Sequence, residues 1–490
     1  MNYLNVIDRF STKKILVIGD CILDVYVKGV STRLCPEAPV PVVDVTENCS
    51  VLGGAANTAC NLAALSADVT FCSVLGCDKA AEEVIEKLRS AGVNTVHVIK
   101  RPDRTTIVKT RVVSGDRVLI RYDEGTINSI DEVTEQMIMS SLQSDYAAYD
   151  AVILSDYGKG VITPKLLKRI QQLQATDRTF LVVDSKRLEF FSGLQPDLVK
   201  PNYEEVIKIL GLDHASHGRA EQIFPFADKL LEFTQSRLVA VTLDSEGSLI
   251  IEKGRPAHRS LAPKVSYPYV SGAGDTYISS FTLGYLSSNS IETAAEIATA
   301  ASTVAIGKDD TAACYVDELK CYFCLQQKFI HTIKDLEKIC VAYHAEGKRI
   351  VFTNGCFDIL HSGHVSYLNQ ARALGDVLIV GVNNDESISR LKGPRRPINP
   401  LADRIDVLCA LTAVTHVIPF GDALDDTPIR IIKAIRPTMF VKGGDYTRDQ
   451  LPEAETVDEI GGEIMFIPLV PDHSTSRIID RIHTPQPELI

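Results

Sequence analysis

Two clusters of residues in this 490-residue chain carry the means for chemistry on phosphates. The first is Ser271-Gly272-Ala273-Gly274-Asp275-Thr276, ahead of a long helical pattern. Small residues let backbone amides close on a ligand, and a helix N-terminus favours an anion. Asp275, directly behind that nest, is placed to accept a proton from a substrate hydroxyl while Gly272, Ala273 and Gly274 hold a transferring phosphoryl group. Taken singly, the motif is equally a helix cap made by Asp275 or Thr276. Gly53-Gly54-Ala55-Ala56-Asn57 also opens a helix, and Asp20 and Asp24 follow the first apolar run. Carboxylates and an Asn suit sugar hydroxyls, and each alone has turn or cap chemistry as its alternative.

The second cluster is His361-Ser362-Gly363-His364, reached from Arg349–Phe352 through Thr353-Asn354-Gly355-Cys356-Phe357-Asp358. Histidines three apart at a helix start can face one anion. Imidazoles that donate to phosphate oxygens suit an α-phosphorus gaining negative charge during in-line attack. A zinc pair or two solvated loop histidines are the alternatives. Zinc wants third and fourth ligands that no nearby residue supplies, and the glycines favour phosphate.

The elements that must position these residues read as alternating strands and helices. Strand candidates are Lys14–Ile18, Ala151–Leu154, Phe180–Val183, Leu238–Leu243, Arg349–Phe352, Val377–Val382 and Met439–Val441, with helices such as Ala80–Ala91 and Thr293–Ile306 between them. That succession predicts βαβ units, a parallel sheet and sites at the carboxyl ends of strands. Thr106–Val113 and Arg117–Asp123, joined by Ser114-Gly115-Asp116, predict a hairpin. With the Pro-rich Cys35–Pro41 it forms a small projecting sheet. The strand rhythm lapses over Val316–Tyr343, a stretch of helical character, so a domain boundary is placed just before Arg349.

Composition excludes several classes. Lys+Arg 51 against Asp+Glu 63 leaves a net charge of −12, with no basic stripe for a nucleic acid. Hydrophobic residues at 45% and charged residues at 23% are globular proportions. No apolar run approaches the roughly eighteen residues of a membrane span. The N-terminus runs almost directly into Ile15-Leu16-Val17-Ile18, so a cytoplasmic protein without a secretory signal is expected. Twelve cysteines are scattered, several among apolar neighbours, and Cys321–Cys324 is a single C-x-x-C knuckle. Reduced thiols, rather than disulfides or zinc, are expected. At roughly 150 residues per domain the length suggests about three domains.

The first set of motifs resembles the ribokinase/phosphofructokinase-B family of carbohydrate kinases over nearly all of residues 10–315. Gly53–Asn57, Lys200-Pro201-Asn202-Tyr203-Glu204-Glu205, Thr242–Gly247 and Gly272–Asp275 carry the resemblance. It implies that Asp275 is the catalytic base and Gly272–Gly274 the anion hole. Asn202, Tyr203, Glu204, Glu205, Thr242 and Gly247 would lie beside ATP and its Mg2+, and Asp20, Asp24, Gly53, Gly54 and Asn57 would hold the sugar. The hairpin and Pro36–Pro41 resemble the family's lid, which closes over the sugar and pairs subunits into a homo-oligomer. Lys109 and Arg111 on that lid either meet a phosphate already on the substrate or form a solvated strand face. Tyr269 stands where the family places an Asp near a monovalent cation, Ser185 follows Asp184 where Asp-Pro-Lys is common, and Asp309-Asp310 replaces a Gly-containing turn. These departures speak against K+ activation and put nucleotide affinity in question.

The second set resembles the cytidylyltransferase-like nucleotidyltransferases over about residues 348–480. Arg390-Leu391-Lys392-Gly393, Val441–Tyr446 and Ser474–Ile479 follow the H-x-G-H in order. By resemblance His361 and His364 stabilise the transition state and Lys392 neutralises phosphate. Asn354, Gly355, Phe357 and Asp358 line the nucleotide site, Ser474, Thr475 and Ser476 bind nucleotide phosphates, and Asp445 binds sugar or ribose. No direct protein ligation of a metal is implied.

The expected architecture is α/β: a ribokinase-like domain with a small β lid over 1–325, a helical linker over 326–345, and a Rossmann-like nucleotidyltransferase domain over 346–490. A kinase that makes an anomeric phosphate and a transferase that consumes it fit one chain. Cys35–Val42, Ser155–Gly160 and Lys392–Pro400 are similar to the bifunctional family of ADP-heptose synthesis, which serves the lipopolysaccharide core. The same architecture acting on another sugar phosphate or nucleotide is an alternative. A non-catalytic N-terminal dimerisation or sugar-sensing module, motivated by Tyr269, Ser185 and Asp310, is another.

Overall fold

The computed structural model describes residues 3–468 except 116, 144, 264–270, 309–311 and 445–446. Two compact units emerge, Met1–Lys320 and Cys321–Ile490. In chain order the strands of the first are β1 (Lys14–Gly19), β2 (Cys21–Leu34), β3 (Pro41–Gly54), β4 (Asp68–Gly76), β5 (Asn94–Arg101), β6 (Val108–Ser114), β7 (Arg117–Glu124), β8 (Ala151–Asp156), β9 (Phe180–Ser185), β10 (Leu198–Val199), β11 (Leu238–Thr242), β12 (Ser248–Glu252) and β13 (His258–Ser260). Among the described residues nine of them form one sheet, ordered β13-β12-β11-β10-β9-β8-β1-β4-β5. It is parallel from β11 to β5, and β12 and β13 add antiparallel at one edge. The continuous apolar runs of β1 and β8 are buried throughout apart from Lys14, as strands covered on both faces must be.

The predicted hairpin is β6–β7, in a four-stranded sheet of order β3-β2-β6-β7. Sequence reading did not foresee β2 and β3, which pair from Cys21↔Gly54 to Leu34↔Pro41 around the Pro-rich turn. Charged and apolar residues are mixed along both because most of this sheet is only half covered. Every residue of β7 is exposed, Val118 and Ile120 included.

The second unit holds β14 (Ile350–Gly355), β15 (Val377–Asn383), β16 (His416–Phe420), β17 (Met439–Gly443) and β18 (Glu463–Ile467), all parallel in the order β16-β15-β14-β17-β18. Chain order reverses between β14 and β17, a switch point of the kind at whose carboxyl ends parallel sheets place their ligands. Separate apolar cores cover the two faces, one around Val351, Leu378 and Val441, the other around Phe352, Ile379 and Phe440. The stretch expected as a linker contains the helix Ile333–Ala345, whose Leu336 and Cys340 are buried in the second of these cores. It packs as part of the second unit. All twelve cysteines are free thiols. No helix among the described residues is long and apolar enough to cross a membrane.

Candidate active sites

In the first unit Gly272 caps the helix Ala273–Ser288, and Asp275 lies in its first turn, 6% exposed. Asp275 Oδ2 accepts a hydrogen bond from Asn57 Nδ2 at 2.6 Å. Its Oδ1 accepts from Thr58 Oγ1 at 3.1 Å and from the Tyr157 hydroxyl at 3.0 Å. Asn57 is itself held by Asn61, whose Oδ1 accepts from Thr276 Oγ1 at 2.6 Å. A ladder of neutral polar groups thus joins the helices Ala55–Ala64 and Ala273–Ser288 and fixes the carboxylate between them. Burial, with the charge of Asp184 adding, pushes the Asp275 carboxyl up to about 6. That leaves it ionised at neutral pH and basic enough to take a proton.

Asp156, Asp184, Lys200, Asn202, Glu205 and Gly274 line the same pocket. Asn202 and Glu205 cap the helix Tyr203–Leu210 reciprocally, Asn202 Oδ1 accepting from the Glu205 amide and Glu205 Oε2 from the Asn202 amide. The neighbouring residues of that turn point elsewhere. Tyr203 is buried in the core, and Glu204 is exposed, 3.2 Å from His214. Thr242, at the end of β11, bridges to Asn202, and Gly247 closes the loop that follows.

Two residues expected together at the sugar are separated. Asp20 is fully buried, and its carboxylate accepts from the backbone amides of Tyr157, Lys159 and Val161 at 2.9–3.0 Å. Both of its oxygens are engaged by the 157–161 loop, which it positions. Asp24 stands on β2 and pairs with Arg111 of β6 at 2.6 Å. A Cβ at Gly53 would lie 2.2 Å from Asp24 Oδ2, so the glycine admits this carboxylate to the start of the Asn57 helix. Lys109 is in register with Asp24 on one side and Asp123 on the other. Arg111 is committed to Asp24 and lies over the Tyr26 ring, so it is not the solvated cation of a bare strand face. Ser185, a departure from the family pattern, is buried; it donates to Asp156 at 2.6 Å and accepts from the Arg187 amide. Tyr269, Asp309 and Asp310 lie outside the described residues.

In the second unit β14 ends in Asn354 and Gly355 beside the helix Ser362–Ala373, which His361 caps. The rings of His361 and His364 stack at 3.9 Å between centroids, and Phe357 packs on His364 at 5.5 Å. Phe357 adopts φ 46°, a conformation rare for a large side chain. Burial, and next the neighbouring His361, pulls His364 down to about 4, so it is a neutral imidazole at pH 7. Its Nδ1 and Asn354 Oδ1 are buried without hydrogen-bond partners among the described residues. Lys392 is the exposed last residue of the helix Asp385–Lys392. Asp358, expected to face the nucleotide, is 2% exposed and pairs with Arg396 while accepting from the amides of Ile398 and Asn399. It orders the 396–399 loop. Asp445, Ser474, Thr475 and Ser476 lie outside the described residues.

Tyr157, Thr58, Asn61 and Lys200 escaped assignment in the first unit, and Arg404 in the second. Arg404 is 2% exposed and donates to the carbonyls of Cys356, Asn383 and Asn399 and to Asp385. It ties together the loops at the carboxyl ends of β14 and β15. Its signal was a charge on the apolar stripe Leu401, Ile405, Leu408.

Residues 12–318 match the pfkB family carbohydrate kinases, and residues 352–481 match the cytidylyltransferase-like family. The bifunctional protein HldE of Helicobacter pylori strain J99 is 38% identical over 473 residues, which cover 96% of this chain and 98% of that one. The chain belongs to the bifunctional HldE family. HldE of Sulfurimonas denitrificans is 36% identical, covering 96% of this chain and 97% of its own. As a member of that family the chain is a two-headed enzyme, a sugar kinase joined to a nucleotidyltransferase. Arabidopsis thaliana ribokinase complexed with ribose and ATP shares the fold of the HldE kinase half, with TM-score 0.52 at 17% identity over 63% of this chain and 98% of that one. Escherichia coli phosphofructokinase-2 in complex with potassium does so with TM-score 0.52 at 17% identity over 64% of this chain and 98% of that one.

Proposed function

We propose that the chain phosphorylates a heptose 7-phosphate at its anomeric hydroxyl with ATP, and transfers AMP from ATP to heptose 1-phosphate to give ADP-heptose and pyrophosphate. The observation that carries this reading is the buried Asp275, held by three neutral donors at the mouth of the Gly272–Gly274 nest, in a chain similar from end to end to HldE proteins. Asp275 takes the hydroxyl proton, and Gly272, Ala273 and Gly274 hold the transferring phosphoryl group. Asn202, Glu205, Thr242 and Gly247 flank ATP. Mg2+ would arrive on the phosphates of ATP, with Glu205 beside it. Asp24, Gly53, Asn57 and Lys109 face the sugar, while Asp20 shapes the loop beneath it.

In the second half His361 and His364 donate N–H groups to the α-phosphate, Lys392 neutralises the triphosphate, and Asn354, Gly355 and Phe357 line the nucleotide. Asp445 and Ser474–Ser476 complete that site by resemblance. The second domain is read to include the helix Ile333–Ala345, so the domain limits are about 1–320 and 321–490, with homo-oligomer contacts made through the lid. The reactions are read as cytoplasmic, where ATP and sugar phosphates are at hand.

The heptose itself rests on Cys35–Val42, Ser155–Gly160 and Lys392–Pro400 and on the HldE relatives. Mass spectrometry of products tests it. Heptose 7-phosphate with ATP should give a bisphosphate and, after removal of the 7-phosphate, ADP-heptose. Turnover only with another sugar phosphate, or only with CTP or GTP, would overturn the substrate and keep the architecture. No ATP turnover by the first unit would leave it a non-catalytic module.

A further inference from the structure

We propose that Lys200 is a catalytic residue of the kinase site, its ammonium contacting the phosphoryl group during transfer; this rests on Asp275 being the base beside an amide nest. Lys200 directly follows β10 and is 6% exposed. Its Nζ lies 3.2 Å from Asp184 Oδ1, at the end of the neighbouring β9. A Cβ built on Gly274 would lie 3.3 Å from that Nζ and 3.9 Å from Cε. The ammonium therefore lies close beside the last glycine of the nest, and a side chain there would press on it by a few tenths of an ångström. Lys200, Gly272, Gly274 and Asp275 line one pocket. A phosphoryl group seated on the Gly272–Gly274 amides is thereby brought within reach of a fixed positive charge.

The charge balance supports this placement. Burial works against the ammonium, but Asp184, Glu205 and Asp275 outweigh it and hold Lys200 charged. An ammonium has three donors, and Asp184 is its ion-pair partner among the described residues. A donor therefore remains for a phosphate oxygen. A buried ion pair with no other task is replaceable by apolar residues at little cost, which gives a purely structural role a distinct signature.

The step balances without a proton change at Lys200. The sugar hydroxyl oxygen forms a bond to the γ-phosphorus as the bond to the β,γ-bridging oxygen breaks. ADP departs with that electron pair, and the hydroxyl proton goes to Asp275. Lys200 offsets negative charge on the phosphoryl oxygens in flight.

Steady-state kinetics on the full chain test this. Lys200→Ala should lower kinase kcat by roughly 10²–10³-fold with the sugar KM within about twofold. Added methylammonium or ethylammonium should restore part of that rate saturably, while nucleotidyl transfer stays unchanged. Unchanged kcat, or a loss that small amines do not relieve, would overturn the proposal. Should Lys200→Ala fail to fold, the neutral pair Lys200→Met/Asp184→Asn decides: a folded, kinase-active double variant overturns the proposal, as does a loss carried wholly by Asp184→Asn alone. A folded double variant lacking kinase activity beside an active Asp184→Asn supports it. Asp275→Asn runs in parallel, and full kinase activity in that variant would refute the base assignment itself.

Discussion

Burial acts on both sites and drives their key groups in opposite directions. In the kinase half it raises Asp275 to about 6, and in the transferase half it lowers His364 to about 4. The cause is one: a buried group resists its charged form, which is the deprotonated form of a carboxyl and the protonated form of an imidazole. The first site therefore holds a carboxyl that titrates just below neutrality, whereas the second holds an imidazole that stays neutral at pH 7. The first reaction must remove a hydroxyl proton. The second displaces pyrophosphate with a phosphate oxygen that is already ionised, so it needs no base.

The largest effects should be the most site-specific. Asp275→Asn should lower kinase turnover by about 10²–10⁴-fold and leave nucleotidyl transfer untouched. His364→Ala should lower nucleotidyl transfer by about 10²–10³-fold and spare the kinase. Product assays for both reactions on each variant check this, and loss of both activities in either variant would break the contrast.

An intermediate effect concerns the two inward carboxylates. Asp20 and Asp358 each collect backbone amides of a loop beside a site. Removing a buried acceptor strands its donors at about 1–3 kcal/mol each. Asp20→Ala should thus destabilise the first unit by at least about 3 kcal/mol, and amide exchange should quicken at Tyr157, Lys159 and Val161. Asp358→Ala should act likewise at Ile398 and Asn399 and also leave Arg396 unpaired. Unchanged exchange in either variant would show that its loop is held by other contacts.

The smallest effect is the pH dependence, where the two halves should move apart. Asp275 is raised in the folded state, so that state binds more protons between about pH 4 and 6, and the first unit loses stability as pH rises through this window. His364 is lowered, so the unfolded state binds more protons between about pH 4 and 6.5, and the second unit loses stability as pH falls. Kinase kcat/KM should rise with pH through about 6, the ionised carboxylate being the competent form, with no matching His364 step in nucleotidyl transfer. Unfolding of the full chain followed by exchange in each half, with rates from pH 5 to 8, checks this, and parallel shifts in both halves would contradict the opposite titrations.

The α/β class, the pairing of a kinase half with a transferase half, and the location of Asp275, His361 and His364 at helix starts were all legible in the chain. Apolar runs, glycine nests and His spacing are local patterns, and a parallel sheet sends such patterns to the carboxyl ends of its strands. Tertiary structure alone decided which way the remaining polar residues face. Asp20 and Asp358 look like ligands for substrate in the chain, yet each turns inward because a neighbouring loop brings unsatisfied amides that a buried carboxylate can accept. Thr58 and Tyr157 reach Asp275, and Lys200 reaches Gly274, only through the packing of helices and the order of β8, β9 and β10. Those contacts join residues far apart in the chain, and no spacing rule encodes them.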